Sequence, residues 1–227
     1  MSKFFWGVLG GIVVIFGLVF IFTHNNNNKN SNNTSSQPTH NVEGQDKANV
    51  SFVEYGDYEC PYCEEYASIV SQVVSDEFSN ISFQFVNFPL TSIHPNAFSG
   101  ARAAQAAGLM GKFWQMHDAL YSYSNWNVWS TSSNPVPYFK QYAQQLGLNV
   151  NTFMTNYNST KVNNMIEADI NKGNNLNIQG TPTFYLNGKQ IQVAAQVSAF
   201  EKLINAAVAN NGKVSNTTSG STAQTTK

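Results

Sequence analysis

The sequence predicts a mixed α/β domain in which a βαβ unit and a ββα unit flank a block of helices, and three observations carry that reading. Two apolar alternations, Val50 to Tyr55 and Ile81 to Phe88, bracket a stretch from Pro61 to Phe78 whose apolar positions follow helical spacing. Asn187-Gly188 lies between Thr183-Phe184-Tyr185-Leu186 and Gln190-Ile191-Gln192-Val193, and both turn residues tolerate the positive φ that a tight hairpin needs. Between Pro95 and about Asn177 several helical patterns occur and no strand pattern does.

From the amino end, Phe4 to Phe22 is an uncharged apolar run. As a helix rising about 1.5 Å per residue it would span roughly 28 Å, close to a bilayer core. The run is long and no small-x-small site precedes Thr23-His24, which favours an uncleaved signal anchor over residues 1–24 rather than a cleaved signal peptide. Lys3 and the amino terminus favour a cytoplasmic start and an exported remainder. Residues 25–41 are mostly Asn, Ser, Thr and Gln and are expected to form a disordered tether, as is the tail 211–227. The folded domain is expected over about 42–210.

Within it, Val50, Phe52 and Glu54 alternate with Ser51, Val53 and Tyr55, the pattern of a strand covered on both faces, and this puts Glu54 on a buried face. Pro61 suits the first position of a helix whose apolar side is Tyr62, Tyr66, Ile69, Val70, Val73 and Phe78. The second alternation then implies a strand parallel to the first.

The helical insertion, about 95–177, has its own elements. Ala97 to Met110 is Ala-rich, and Phe113, Met116, His117, Leu120 and Tyr121 trace an apolar stripe. Val136 to Leu146, closed by Gly147, and Thr160 to Lys172, closed by Gly173, read as further helices, with Ser122 to Pro135 as a loop. Trp114, Trp126, Trp129 and Tyr138 read as packing residues rather than a cleft lining. After the hairpin, Phe200, Leu203, Ile204 and Val208 share one face of a last helix from Val197 to Ala209.

The chemistry is concentrated in one motif. The 227 residues include only two cysteines, placed as Cys60-Pro61-Tyr62-Cys63 directly after the first buried strand. At a helix start both sulfurs fall on the first turn, where one can attack and the other resolve. The amides and dipole of the helix N-terminus favour a thiolate on the first of them. A purely structural disulfide is the alternative, but closing so short a loop removes little chain entropy. The net charge of −1 and the lack of Lys/Arg clusters argue against a nucleic-acid surface. His94 and His117 fall in no recognisable metal-ligand spacing, and His117, within an apolar stripe, reads as a core histidine.

Phe52-Val53-Glu54-Tyr55-Gly56-Asp57-Tyr58-Glu59-Cys60-Pro61-Tyr62-Cys63, followed far downstream by Gly180-Thr181-Pro182-Thr183, resembles the DsbA-like thiol-disulfide oxidoreductases of the thioredoxin fold, above all their membrane-anchored bacterial members. A looser likeness runs through Phe113-Trp114-Gln115-Met116-His117-Asp118-Ala119-Leu120-Tyr121, and the whole covers about Val42 to Asn210. The resemblance implies a thioredoxin-like fold, with Cys60 as an exposed nucleophile and Cys63 as the shielded resolving thiol. It implies that Pro182 is a cis-proline facing the motif and that Thr181 offers its backbone to a client strand, with Pro61 and Tyr62 also at the client site.

It further implies that Glu54, six residues before Cys60, is a buried carboxylate exchanging protons with Cys63. No cofactor is required. The implied partners are unfolded or reduced exported proteins and a membrane quinone-linked protein that recycles the pair. Asp57, Glu59, Glu64 and Glu65 are expected as a solvated acidic rim that opposes the thiolate. The most oxidising members carry histidine in the dipeptide where this chain has Pro61-Tyr62, which leaves the direction of electron flow open. A reductase or isomerase of the same fold, or a non-catalytic client-binding or holdase module, remain the alternative readings.

Overall fold

The computed structural model describes residues 37–45 and 48–210. The proposed anchor, most of the tether and the tail therefore lie outside the described residues. Among those described, no helix is long and apolar enough to cross a membrane.

Five strands form one sheet in the order β1-β3-β2-β4-β5: β1 Asn41–Gly44, β2 Val50–Gly56, β3 Ile81–Asn87, β4 Thr183–Leu186 and β5 Lys189–Ile191. β2 and β3 are parallel, in register from Val50 opposite Ile81 to Gly56 opposite Asn87, as the βαβ reading requires. The other neighbours are antiparallel. The hairpin turn holds Asn187 at φ 49° and Gly188 at φ 76°, the left-handed conformation for which Asn-Gly is suited. Its second strand is shorter than the sequence suggests, ending at Ile191 before Gln192 and Val193.

Helix α1, Pro61–Asp76, and the last helix, α8, Val197–Ala209, cover one sheet face. There Val50, Phe52, Ile81, Phe83, Phe184 and Leu186 pack on Val70, Val73, Val74, Phe200 and Ile204. Tyr55, Val86, Phe88, Ile178 and Tyr185 make the opposite core, so β2 is apolar on both faces. Between β3 and β4 run α2 Ala97–Gly108, α3 Phe113–Tyr121, α4 Tyr123–Trp129, α5 Val136–Gln145, α6 Val150–Tyr157 and α7 Thr160–Asn175. Their core is continuous with Tyr58, Cys60, Cys63 and Phe85, so the helical block packs directly beneath the cysteine turn.

Four elements differ from the sequence reading, three of them for a reason that the packing shows. β1 was not expected, because four residues carry little pattern; it pairs with β3 and is anchored by Trp114, whose indole N–H donates to the Val42 carbonyl at 3.1 Å. The expected loop 122–135 contains α4. Its Asn- and Ser-rich composition has low helix propensity, but tertiary packing overrides it: Trp129 is fully buried and its Nε1 donates to the Leu120 carbonyl at 2.9 Å. Gly173 does not close a helix. α7 continues to Asn175, and a Cβ at 173 would lie 2.5 Å from the Phe88 ring, so this glycine allows helix and sheet to approach. A further helix, α6, was also missed.

A buried carboxylate ties the block to the sheet. Asp169 of α7 accepts from Thr39 N and Oγ1, each at 2.7 Å, and from Asn87 N at 3.1 Å and Nδ2 at 2.7 Å. Four donors offset the desolvation of a fully buried acid, although burial still raises its pKa.

Candidate active site

Cys60 is the N-cap of α1, with φ −70° and ψ 124°, and Pro61 follows at the first helical position, where its missing N–H costs nothing. The Glu64 amide donates back to the Cys60 carbonyl at 3.1 Å, which places Cys63 on the same first turn. The two cysteines are present as free thiols. Opposite them, the Thr181-Pro182 peptide bond is cis, and Cys60 Sγ lies 3.4 Å from the Thr181 carbonyl oxygen.

The sulfurs differ in their surroundings. Cys60 is not the exposed thiol that the sequence reading expected: only 3% of its surface is accessible, and it packs into the core of the helical block with the Thr181 carbonyl against its sulfur. Its pKa is nonetheless lowered to about 6. The largest cause is a hydrogen bond from the Cys63 thiol, with the Thr181 side chain and the amides of Cys63 and Tyr62 adding to it while burial opposes. The Thr181 hydroxyl is buried without a hydrogen-bond partner, so its effect on the thiol is that of a nearby dipole. Cys63 has no accessible surface, and burial drives its pKa well upward. The Asp57 amide points at its sulfur from 3.5 Å.

Glu54 occupies the buried face of β2, on the side that α1 covers, two residues beyond Phe52 and in register with Phe85 and Phe184. It is 2% exposed, and desolvation, reinforced by the charge on Cys60, raises its pKa to about 8. Gly56 keeps this space open, since a Cβ there would stand 3.1 Å from Glu54 Oε1 and 2.4 Å from the Phe85 ring. A neutral, proton-bearing carboxyl at pH 7 thus lies within electrostatic reach of both sulfurs.

Of the other expected client-facing residues, Tyr62 is 65% exposed and Pro61 is also at the surface. Tyr62, Tyr66, Thr181, Pro182, Phe184 and Ile191 line part of a groove of about 350 Å³ beside Cys60. The structure therefore brings Cys60, Cys63, Glu54, Pro61, Tyr62, Thr181 and Pro182 to one end of the sheet.

The acidic rim does not form as expected. Asp57 and Glu59 are buried, each held by its own hydrogen bonds, and only Glu64 and Glu65 retain substantial accessible surface. Glu59 Oε2 accepts from the Asn96 amide, next to the start of α2. The two histidines are also committed elsewhere: His94 pairs with Asp57, and His117 Nδ1 is 3.0 Å from Tyr58 Oη. His117 is buried among Phe85, Phe113, Trp114 and Tyr121, which lowers its pKa to about 3. Among the described residues no cluster of His, Cys, Asp or Glu is arranged to hold a metal ion. The indole N–H groups of Trp114 and Trp126 bond the carbonyls of Val42 and Tyr58, so these aromatics serve packing, Trp126 directly against the cysteine turn.

A thioredoxin family model matches residues 36–206, more than half of the chain. The chain is 33% identical over 168 residues to the Na(+)/H(+) antiporter NhaA 1 of Salinispora arenicola, a match covering 74% of this chain and 24% of that protein. It thus spans about a quarter of the length of the antiporter-named relatives it matches. With the probable disulfide bond formation protein D of Bacillus cereus it shares 27% identity over 152 residues, 64% of this chain and 68% of that protein. Among solved structures, oxidised BdbD from Bacillus subtilis aligns with a TM-score of 0.63 and 24% identity, over 77% of this chain and 97% of that one.

Proposed function

The chain belongs to the thioredoxin family, and from that premise we propose that it is a DsbA-like thiol-disulfide oxidoreductase that forms disulfide bonds in exported proteins, outside the cytoplasm, through a Cys60–Cys63 redox pair. The observation that carries this reading is the asymmetry of the two sulfurs. Cys60 sits at a helix N-cap under the Thr181-Pro182 turn with a lowered pKa, whereas Cys63 is sealed below it near a proton-bearing Glu54.

In the oxidised protein, a client thiolate attacks Cys60 Sγ, forming a mixed disulfide and breaking the Cys60–Cys63 bond. Cys63 departs as a thiolate into a site that disfavours its charge, and Glu54 supplies the proton. A second client thiolate then attacks the client sulfur of the mixed disulfide. The client gains one disulfide, and Cys60 leaves as a thiolate that its surroundings already stabilise. The pair has accepted two electrons, which a redox partner must remove. A stable Cys60 thiolate favours the reduced form of the enzyme, which is the direction an oxidant requires.

The groove beside Cys60 suits an extended client: apolar Pro182 and Ile191 offer burial, and the adjacent turn at Thr181 offers main-chain groups, which read little sequence. An apolar run at residues 4–22 would hold the domain at the outer face of a membrane, and tethering would raise the effective concentration of a membrane quinone-linked partner. Sodium/proton transport is not part of the proposal, because the antiporter-named relatives match over only a quarter of their length. Rapid acid quenching of cells followed by thiol labelling tests the direction: an oxidase is recovered with Cys60 and Cys63 blocked as a disulfide, and recovery as a dithiol would make it a reductase.

A further inference from the structure

The turn that carries the cysteines is anchored through one carboxylate. Asp57 is 1% exposed, and its Oδ1 accepts from the Glu59 amide at 2.8 Å. Its Oδ2 accepts from the Leu90 amide at 2.9 Å and pairs with His94 Nδ1 at 2.7 Å. Through its main chain the same residue reaches both cysteines: the Cys60 amide donates to the Asp57 carbonyl at 3.1 Å, and the Asp57 amide points at Cys63 Sγ from 3.5 Å. The side chain is thus fixed to the loop after β3, while the backbone is fixed to the two sulfur-bearing residues.

A turn alone does not require this arrangement. The bond from Oδ1 to the amide two residues on is an ordinary Asx turn, which Asn would form equally well. Burying a carboxylate costs several kcal/mol unless its oxygens are paired. Oδ2 has two such partners, the Leu90 amide and the His94 ring, 33 and 37 residues from Asp57 in sequence. Lateral support comes from Glu59 Oε2 on the Asn96 amide and from Trp126 Nε1 on the Tyr58 carbonyl at 2.9 Å. The segment 57–60 is therefore held by the loop after β3 and by helix α4.

Building on the reading above, we infer that Asp57 and His94 form a positioning pair, which fixes the turn 57–60 so that Cys63 Sγ stays on the Asp57 amide and in hydrogen-bonding reach of Cys60 Sγ. Neither residue touches a client in this scheme. They act through the cysteines, and loss of the His94 contact should appear in sulfur chemistry rather than in fold alone.

The test uses the purified reduced protein and its mixed disulfide with glutathione. Thiolate absorbance gives the titration of Cys60, and release of glutathione gives the rate at which Cys63 attacks. His94→Ala should raise the Cys60 pKa by about one unit, because the hydrogen bond from Cys63 is weakened. It should also slow glutathione release on the order of tenfold through misplacement of Cys63. His94→Asn, which keeps an N–H near the position of Nδ1, should restore both quantities. Should His94→Ala not fold, Asp57→Asn must show the same rise and the same slowing.

Folded variants that titrate and release glutathione like the unsubstituted protein would overturn the pairing. So would a defect that His94→Asn fails to repair while thermal stability is recovered. An unsubstituted protein whose Cys60 titrates as an ordinary thiol, near 8.5, would instead remove the redox reading on which the inference rests.

Discussion

Cys60 Sγ lies 3.4 Å from the carbonyl oxygen of Thr181, a residue 121 positions away that the fold places against the start of α1. Of the two sulfurs Cys60 is the one nearer the surface, since Cys63 has no accessible surface. Cys63→Ser should therefore accumulate mixed disulfides at Cys60, and Cys60→Ser should lose disulfide transfer altogether. Non-reducing mass analysis of client complexes distinguishes them; clients trapped on Cys63 in the Cys60→Ser protein would reverse the roles.

Glu54 should give the resolving step its pH dependence. With its pKa raised to about 8, the carboxyl holds a proton at neutral pH that Cys63 can take on leaving. Glu54→Gln, which cannot ionise, should slow transfer by 10²-fold or more, about the span of general acid catalysis, and flatten the limb of the pH–rate profile near pH 8. An unchanged profile would place the proton elsewhere.

The same group makes a stability prediction of fixed sign. Between its ordinary pKa of 4.5 and about 8, the folded protein binds one more proton at Glu54 than the unfolded chain does, so stability falls as pH rises through that window. The Gln variant lacks this loss. Its stability relative to the reduced parent should rise with pH by at most about 1.4 kcal/mol per unit, levelling off above pH 8. Denaturant titrations of both reduced proteins from pH 5 to 9 measure the difference.

Gly56→Ala should damage both fold and site. The new methyl would meet the Phe85 ring at 2.4 Å and Glu54 Oε1 at 3.1 Å in a packed interior. Overpacking of this kind costs about 1 to 3 kcal/mol, readable as a lower denaturant midpoint. Because the collision borders Glu54, the variant should also shift the pH–rate profile.

Strands β2 and β3, helix α1, the Asn187-Gly188 turn and helix α8 are legible in the sequence because each carries a local period or a turn signal of its own. Helix α4 is not, since its stability comes from burying Trp129 rather than from propensity. Gly173 misleads for a related reason: a glycine late in a helical pattern looks like a stop, whereas its role is close approach to Phe88. The cysteines stand out by type and spacing, whereas the roles of Glu54 and of the Thr181-Pro182 turn come from the resemblance to DsbA-like enzymes. Asp57 has a faint signal, as an Asx-turn residue just before the motif. His94 has none, because its contact with Asp57 is made across 37 residues by the fold alone. Proximity to the cysteines suggested that Asp57 and Glu59 formed a charged rim, and hydrogen bonds to the loop after β3 bury both instead.

The most direct test follows one disulfide from enzyme to client. Purified oxidised protein, with Cys60 and Cys63 as its only cysteines, is mixed with a reduced, unfolded client carrying two thiols, and the redox state of each is read over time by thiol labelling and mass. One client disulfide should form for each Cys60–Cys63 disulfide lost, through a transient adduct at Cys60, and Cys60→Ser should give none. A client that oxidises no faster than in buffer, or at the same rate with Cys60→Ser, would contradict the proposal that this pair donates disulfides.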